Sequence, residues 1–201
     1  MQIRSWLRGI AMVAGFCAAA AGAQTPGQAA PDFTLTDVLG KSVRLSDFKG
    51  KFVVLEWTNP DCPFVRNHYR TGNMQGLQKS ARTDDVVWLT INSTNRSNGE
   101  YKTPAMMTEW IRTQNALPRS VLIDGESAVA RQYAVKTTPQ MVVVEPGGKV
   151  IYAGAIDDRP STRPDDPPAA HNYVQAALKE GKSGVAVAKA STTPYGCSLK
   201  Y

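Results

Sequence analysis

No dense block of lysine or arginine runs through this chain, although its 23 basic residues outnumber 17 acidic ones. So mild an excess, spread along the sequence, argues against a dedicated nucleic-acid surface, which concentrates its cations. No apolar run spans a bilayer comfortably: the stretch from Ile10 to Ala20 falls short of the ~20 residues that a crossing helix needs. No internal repeat is present, which excludes solenoids and other repeat arrays. Cysteine is held to three, at 17, 62 and 197, so any sulfur chemistry rests on very few atoms.

What is present begins with a leader. Arg4 and Arg8 precede the apolar run, and Ala21-Gly22-Ala23 forms a small-residue cleavage site before Gln24. That order is expected of a secretory signal spanning residues 1–23. A retained, acylated Cys17 would need a small residue before it, and Phe16 stands there instead. Cleavage removes Arg4 and Arg8, lowers the net charge from +6 to +4, and leaves Cys62 and Cys197 as the surviving cysteines. The remaining length suits one domain, expected over 24–182, with a tail over 183–201 that carries Cys197. Export implies an oxidising compartment, the periplasm on this reading, where two cysteines can persist as a disulfide. No stable membrane insertion is expected once the leader is gone.

Alternating residues around Gly40-Lys41 predict a short hairpin from Pro31 to Leu45. Phe52 to Trp57 and Val86 to Ile91 are apolar at nearly every position, as expected for strands covered on both faces. A helix is expected from Pro63 to about Lys79, weakened by Gly72 and Gly76. Further helices are expected over Pro104 to Asn115, Glu126 to Tyr133 and Asn172 to Lys182. A short strand is expected at Ser120 to Ile123, and a hairpin joins Gln140 to Val144 with Lys149 to Ala153 through Pro146-Gly147-Gly148. Asp157 to Pro168, rich in Pro, Asp and Arg, reads as an exposed loop. Strands alternating with helices, closed by an antiparallel hairpin, predict an α/β sandwich with a mixed sheet.

The chain is organised around Val53 to Arg66. An apolar, β-branched run ends in Asn59-Pro60-Asp61, and Cys62 then stands before Pro63 at a helix start. A helix N-terminus leaves N–H groups unpaired and gathers the positive end of the macrodipole, so it favours a thiolate. Pro63 fits the first helical position, where its missing N–H costs nothing. Arg66, four residues on, shares that helical face and could add a cation, while Asp61 opposes it.

Phe52 to Arg66 resembles the active-site strand and helix of the thioredoxin fold, with Cys62-Pro63-Phe64-Val65 at the place of its Cys-x-x-Cys motif. Ala130 to Pro139 is similar to the approach to that fold's cis-proline, and Met141 to Ile151 to its terminal hairpin. Pro31-Asp32-Phe33 with Leu45 to Lys51 is similar to the opening of the redoxin branch, of alkyl hydroperoxide reductase/thiol-specific antioxidant type. Cys62-Pro63-Phe64-Val65, Tyr152 to Asp158 and Gly196 to Tyr201 resemble the peroxiredoxin-like bacterial redoxins. The resemblance implies a thioredoxin-like three-layer α/β/α sandwich with an N-terminal β-hairpin. It also implies thiol-disulfide exchange with protein or small-molecule thiols and disulfides, without a cofactor or metal. A copper site would need a second cysteine close to Cys62, and Val65 and Arg66 supply none. No feature specifies an oligomer.

Two departures from the pattern matter. Val65 replaces the second cysteine of the dithiol motif, so a partner bound to Cys62 must be released by another thiol. Peroxiredoxins carry Thr or Ser three residues before their reactive cysteine and proline seven before; here stand Asn59 and Leu55, with Thr58 one residue off. A thiol peroxidase therefore remains the enzymatic alternative, and a disulfide-stapled binding module the non-enzymatic one.

The resemblance assigns Cys62 the nucleophile's role, against a buried inert thiol. Cys197 has three open roles: resolving Cys62, a permanent disulfide with it worth about 4 kcal/mol, or a free thiol on a mobile tail. Glu56 matches a buried acid that moves protons for the active-site thiols, against a strand-end acid facing water. Thr138-Pro139 is expected to be cis and to set backbone beside the sulfur, where a partner chain can pair. Trp57 is expected to pack against the site, and Pro63 to border it. His68, six positions past Cys62, is expected to point away from the thiol towards the surface. His171 is expected in solvent, and Met106-Met107 on a helix face.

Overall fold

The computed structural model describes residues 25–201. The expected leader, its cleavage site and Cys17 lie outside them. Seven strands form one mixed sheet: β1 (Thr34–Asp37), β2 (Ser42–Arg44), β3 (Val53–Trp57), β4 (Val87–Asn92), β5 (Ser120–Ile123), β7 (Gln140–Val144) and β8 (Val150–Gly154), in the order β2-β1-β5-β4-β3-β7-β8. Strands β3, β4 and β5 run parallel. Strand β7 is antiparallel to β3, and β1 to β5. A second, two-stranded sheet pairs β6 (Thr137–Thr138) with β9 (Cys197–Ser198).

Every residue of β3 and β4 is buried, which is why both read as strands apolar at most positions: helices cover each face. Side chains alternate across the sheet. Val53, Leu55 and Trp57 join Leu89, Ile91 and Tyr133 on the face covered by α4 (Ala128–Gln132). Val54 joins Val143 on the other, covered by α1 (Pro63–Arg70), α2 (Asn73–Thr83) and α6 (Tyr173–Lys182). The three-layer sandwich expected from the sequence is the fold observed. Among the described residues no helix is long and apolar enough to cross a membrane.

Three expectations are corrected. The single helix from Pro63 to Lys79 is two, because Gly72 adopts a left-handed conformation (φ +74°) between α1 and α2; without a Cβ this costs little, and the chain turns there. The segment 157–168 is not an open loop throughout. It buries Asp157 and Asp166, and its end enters a short helix, α5 (Asp166–Ala169). Arg163 at 3.0 Å and Arg159 at 3.4 Å neutralise the Asp166 carboxylate, which makes that burial tolerable. The Met106-Met107 pair of α3 (Pro104–Thr113) divides, Met107 being buried and Met106 exposed.

The C-terminal segment runs as a strap along the sheet. Ala153 N donates to Ala190 O at 3.0 Å, and Thr192 N to Ala153 O at 3.2 Å. Thr192 Oγ1 accepts from Ala155 N at 2.9 Å. Farther on, Leu199 is buried, and Leu199 N donates to Lys136 O at 2.9 Å. Cys197 therefore lies between two anchored stretches rather than on a free end.

Candidate functional site

Cys62 occupies the junction between β3 and α1. Thr58 N still bonds β4, to Ile91 O at 3.0 Å. Asn59 then folds the turn: its Oδ1 accepts from Asp61 N at 2.9 Å and its backbone carbonyl from Cys62 N at 3.0 Å. Cys62 is the N-cap of α1, with extended backbone, and exposed Pro63 is the first helical residue. The Cys62 thiol does not cap the helix. It donates instead to Thr138 O at 3.1 Å.

Thr138 is the centre of the arrangement. The Thr138-Pro139 bond is cis, as expected. The face of Thr138 that a partner chain was expected to use is taken by the chain's own β9, with Thr138 opposite Cys197 and Thr137 opposite Ser198. Gly196 permits this approach: a Cβ there would lie 2.0 Å from Thr138 O. Both cysteines thus flank one residue, and both are free thiols. Cys62 is only 1% exposed, whereas Cys197 is partly exposed. Burial first, then a hydrogen bond with Cys62 and the charge of that sulfur, push the Cys197 thiol up to about 12. Lys200 opposes the shift and Glu100 adds to it.

The other expected site residues divide. Arg66 turns its guanidinium to Pro60 O at 2.8 Å and to Asp61 Oδ1 at 3.1 Å. Asp61 also holds Lys102 at 2.5 Å. The opposition between Arg66 and Asp61 is resolved as an exposed ion pair beside the cysteine. Trp57 lies in the core on the sheet face opposite the Cys62 cluster, with its ring 5.2 Å from that of Tyr133 and its Nε1 donating to Ser93 Oγ at 3.2 Å. It does not line the site, because side chains alternate along β3.

Glu56 is fully buried, which excludes the water-facing alternative. Its Oε1 accepts from Tyr69 Oη at 2.7 Å. Oε2 accepts from Trp88 Nε1 at 2.7 Å, Thr90 Oγ1 at 2.9 Å and Gln78 Nε2 at 3.3 Å. Burial pushes its carboxyl above the usual range, and the four donors pull it back. None of these bonds reaches either cysteine; the cage ties β3 to β4, α1 and α2. Glu56→Leu leaves the buried Tyr69, Trp88 and Thr90 donors without an acceptor, while Gln78 Nε2 keeps Tyr69 Oη at 3.3 Å, and is expected to cost about 3 kcal/mol or more in urea unfolding. A loss under about 1 kcal/mol would contradict this reading of the cage.

His68 is the clearest correction: it is fully buried, not at the surface. Its Nε2 lies 3.0 Å from Tyr195 Oη and its Nδ1 2.8 Å from Asn73 Nδ2. Burial lowers its pKa to about 4, so the ring is neutral at pH 7. Tyr195 Oη in turn donates to Asp157 Oδ1 at 2.5 Å. His171 is exposed, as expected. Sequence reasoning missed Tyr195 and Asp157. The available signal was the alternation of Tyr195, Cys197 and Leu199 with Gly196 and Ser198, a strand pattern. Among the described residues no three His, Cys, Asp or Glu side chains cluster as metal ligands.

Comparison with known proteins agrees with this fold. A family model described as AhpC/TSA matches residues 26–153, which takes in Cys62 and Pro139 and stops before the strap. Thiol-disulfide oxidoreductase ResA of Bacillus subtilis is 27% identical over 132 residues, 62% of this chain. The chain spans 64% of the length of that relative. An uncharacterized conserved protein from Geobacillus kaustophilus superposes with a TM-score of 0.77 at 26% identity, over 89% of this chain and 93% of that one. The thioredoxin domain of a Bacteroides vulgatus thiol-disulfide oxidoreductase shares the fold, with a TM-score of 0.52 at 21% identity over 64% of this chain and 87% of that one.

Proposed function

Because the chain belongs to the AhpC/TSA family, we propose that it is a thiol-disulfide oxidoreductase whose working redox pair is Cys62 and Cys197. The observation that carries this reading is the position of Thr138, whose carbonyl accepts from the Cys62 thiol while its backbone pairs with Cys197. Val65 leaves the motif without a second sulfur, and the strap supplies one. The name of the Bacillus subtilis relative points to the same reaction.

Cys62 is the attacking sulfur. It joins one sulfur of a partner's disulfide and releases the other as a thiolate, forming a mixed disulfide. Cys197 then attacks Cys62, closes the Cys62–Cys197 disulfide and expels the second partner thiol, which takes up the proton that Cys197 loses. Burial above all holds Cys197 protonated, so Cys197 does not compete for the first attack. Pro63 opens the helix behind the sulfur, Thr138 and Pro139 shape the backbone beside it, and the Arg66–Asp61 pair borders it. Partners are protein or small-molecule thiols and disulfides. A partner chain that pairs with Thr138 must first lift β9 away.

The basic and apolar leader supports export, which places the reaction in the periplasm. A second reading is supported by Thr58, whose Oγ1 is buried without a hydrogen-bond partner. Peroxide would oxidise Cys62 to a sulfenic acid, and Cys197 would close the disulfide with loss of water.

Cys62→Ser is expected to abolish exchange with glutathione disulfide, followed by release of glutathione. Retention of most of the wild-type rate would overturn the assignment. The same assay run with hydrogen peroxide separates the two readings by which oxidant consumes the thiol faster.

A further inference from the structure

We propose that Tyr195 is the positioning residue of the resolving step, fixing Cys197 against Cys62 by tying the strap to the helix that carries Cys62. The proposal rests on the redox-pair reading above. Tyr195 stands two residues before Cys197, and its ring meets Phe64 edge-on at 5.7 Å, two residues after Cys62. Its hydroxyl enters a partly buried chain drawn from four parts of the fold: Asn73 to His68 to Tyr195 to Asp157.

The roles along this chain are set by the chemistry of each group. Asn73 Nδ2 donates to His68 Nδ1, so the ring proton sits on Nε2 and is given to the tyrosine oxygen. The tyrosine hydroxyl is then free to donate to Asp157 Oδ1. His68 and Asp157 are 0% and 1% exposed, so neither finds water as a substitute partner. Nothing in the exchange chemistry uses them. Their common effect is to hold Tyr195, and through it the strap between Thr192 and Leu199. Gly196, at φ +135°, separates Tyr195 from Cys197 and has no side chain with which to anchor the strand itself.

The step that needs this precision is the attack of Cys197 on the Cys62 sulfur of the mixed disulfide. One sulfur–sulfur bond forms, the bond to the partner breaks, and the proton from Cys197 leaves with the partner thiol. Intramolecular attack depends on near-attack geometry, and a shift of about 1 Å can cost on the order of a hundredfold in rate. The first attack, by Cys62 on the partner, does not use Cys197 as a reactant, and because the strap covers Cys62, 1% exposed, a looser strap does not slow it.

The test is Tyr195→Phe, which keeps the ring against Phe64 and removes only the hydroxyl. With glutathione disulfide as oxidant, closure of the Cys62–Cys197 disulfide from the mixed disulfide is expected to slow about tenfold or more. The equilibrium constant for closure against glutathione is expected to fall as well. Mixed-disulfide formation on Cys62, measured in a Cys197→Ser background, is expected not to slow, since a looser strap uncovers Cys62 rather than hiding it. His68→Gln, which leaves the Asp157 bond in place, is expected to slow closure in the same direction by less, and it keeps the test available if Tyr195→Phe folds poorly. Asp157→Asn, which retains an acceptor for the Tyr195 hydroxyl, is expected to keep closure near wild-type speed. Closure rate and equilibrium within about twofold of wild type in both Tyr195→Phe and His68→Gln would overturn the proposal while leaving the redox pair standing. Absence of any mixed disulfide on Cys62 would instead remove the redox-pair reading, and this proposal with it.

Discussion

Cys197→Ser is expected to leave Cys62 joined to its partner as a stable mixed disulfide, with release slowed about a thousandfold or more. The expectation follows from where the two sulfurs stand. Val65 occupies the position from which a second cysteine of the motif would attack, and Cys197 is the one other thiol among the described residues. It sits opposite Thr138, whose carbonyl is 3.1 Å from the Cys62 sulfur. A group held in that way reaches effective concentrations far above the ~1 mM of an external thiol. Without it, release falls to the external thiol alone. Quenching the reaction with acid and weighing the intact chain over time reads the outcome directly. Wild-type chain passes through the adduct briefly, and the variant accumulates it. Release from Cys197→Ser at the wild-type rate would show that resolution belongs to another sulfur.

Gly196→Val is expected to act on both halves of the site with opposite signs. A Cβ at this position meets Thr138 O at 2.0 Å and Thr138 C at 2.7 Å, both backbone atoms with no room to give. The residue also holds φ +135°, a conformation that a β-branched side chain adopts only at a cost of about 1–3 kcal/mol. The relief open to the chain is to release β9 from β6. Cys62, 1% exposed with the strap in place, then becomes accessible, and its alkylation by iodoacetamide is expected to rise about a hundredfold, the factor that about 3 kcal/mol of lost attachment supports. Closure of the Cys62–Cys197 disulfide falls over the same range because the second sulfur has moved away. Gly196→Ala carries the same Cβ and is expected to follow in direction. Alkylation of Gly196→Val at the wild-type rate would mean that the strap does not cover Cys62.

Much of the fold is legible in the sequence because burial repeats with a period that the backbone imposes. The mostly apolar runs at 53–57 and 87–92 mark strands covered on both faces. The turn at Asn59-Pro60-Asp61 and the proline after Cys62 mark the helix start. The same alternation bears on Trp57 and Glu56: as neighbours on one strand they face opposite sides, so both could not serve Cys62. The break at Gly72 is less legible, since a glycine inside a helical pattern either weakens the helix or ends it, and packing decides which. The burial of Glu56, His68 and Asp157 depends on partners far away in sequence. Trp88, Tyr195 and their neighbours satisfy these groups only after the chain has folded, and no local pattern announces the match. The strap shows the same division. Its alternation hints at a strand, but the place where that strand docks depends on Gly154 and Gly196. At both positions a Cβ would come within 2.2 Å of another atom.

The central claim is that Cys62 and Cys197 are the two ends of one exchange reaction. The most direct measurement is to equilibrate the reduced full chain in glutathione buffers of increasing oxidising strength, trap free thiols with acid and an alkylating reagent, and map the peptides. The account predicts a reversible disulfide joining the Cys62 peptide to the Cys197 peptide, reached through a glutathione adduct on Cys62. Two alkylated thiols at every potential, or adducts at Cys62 and Cys197 that never convert to a cross-link, would contradict it.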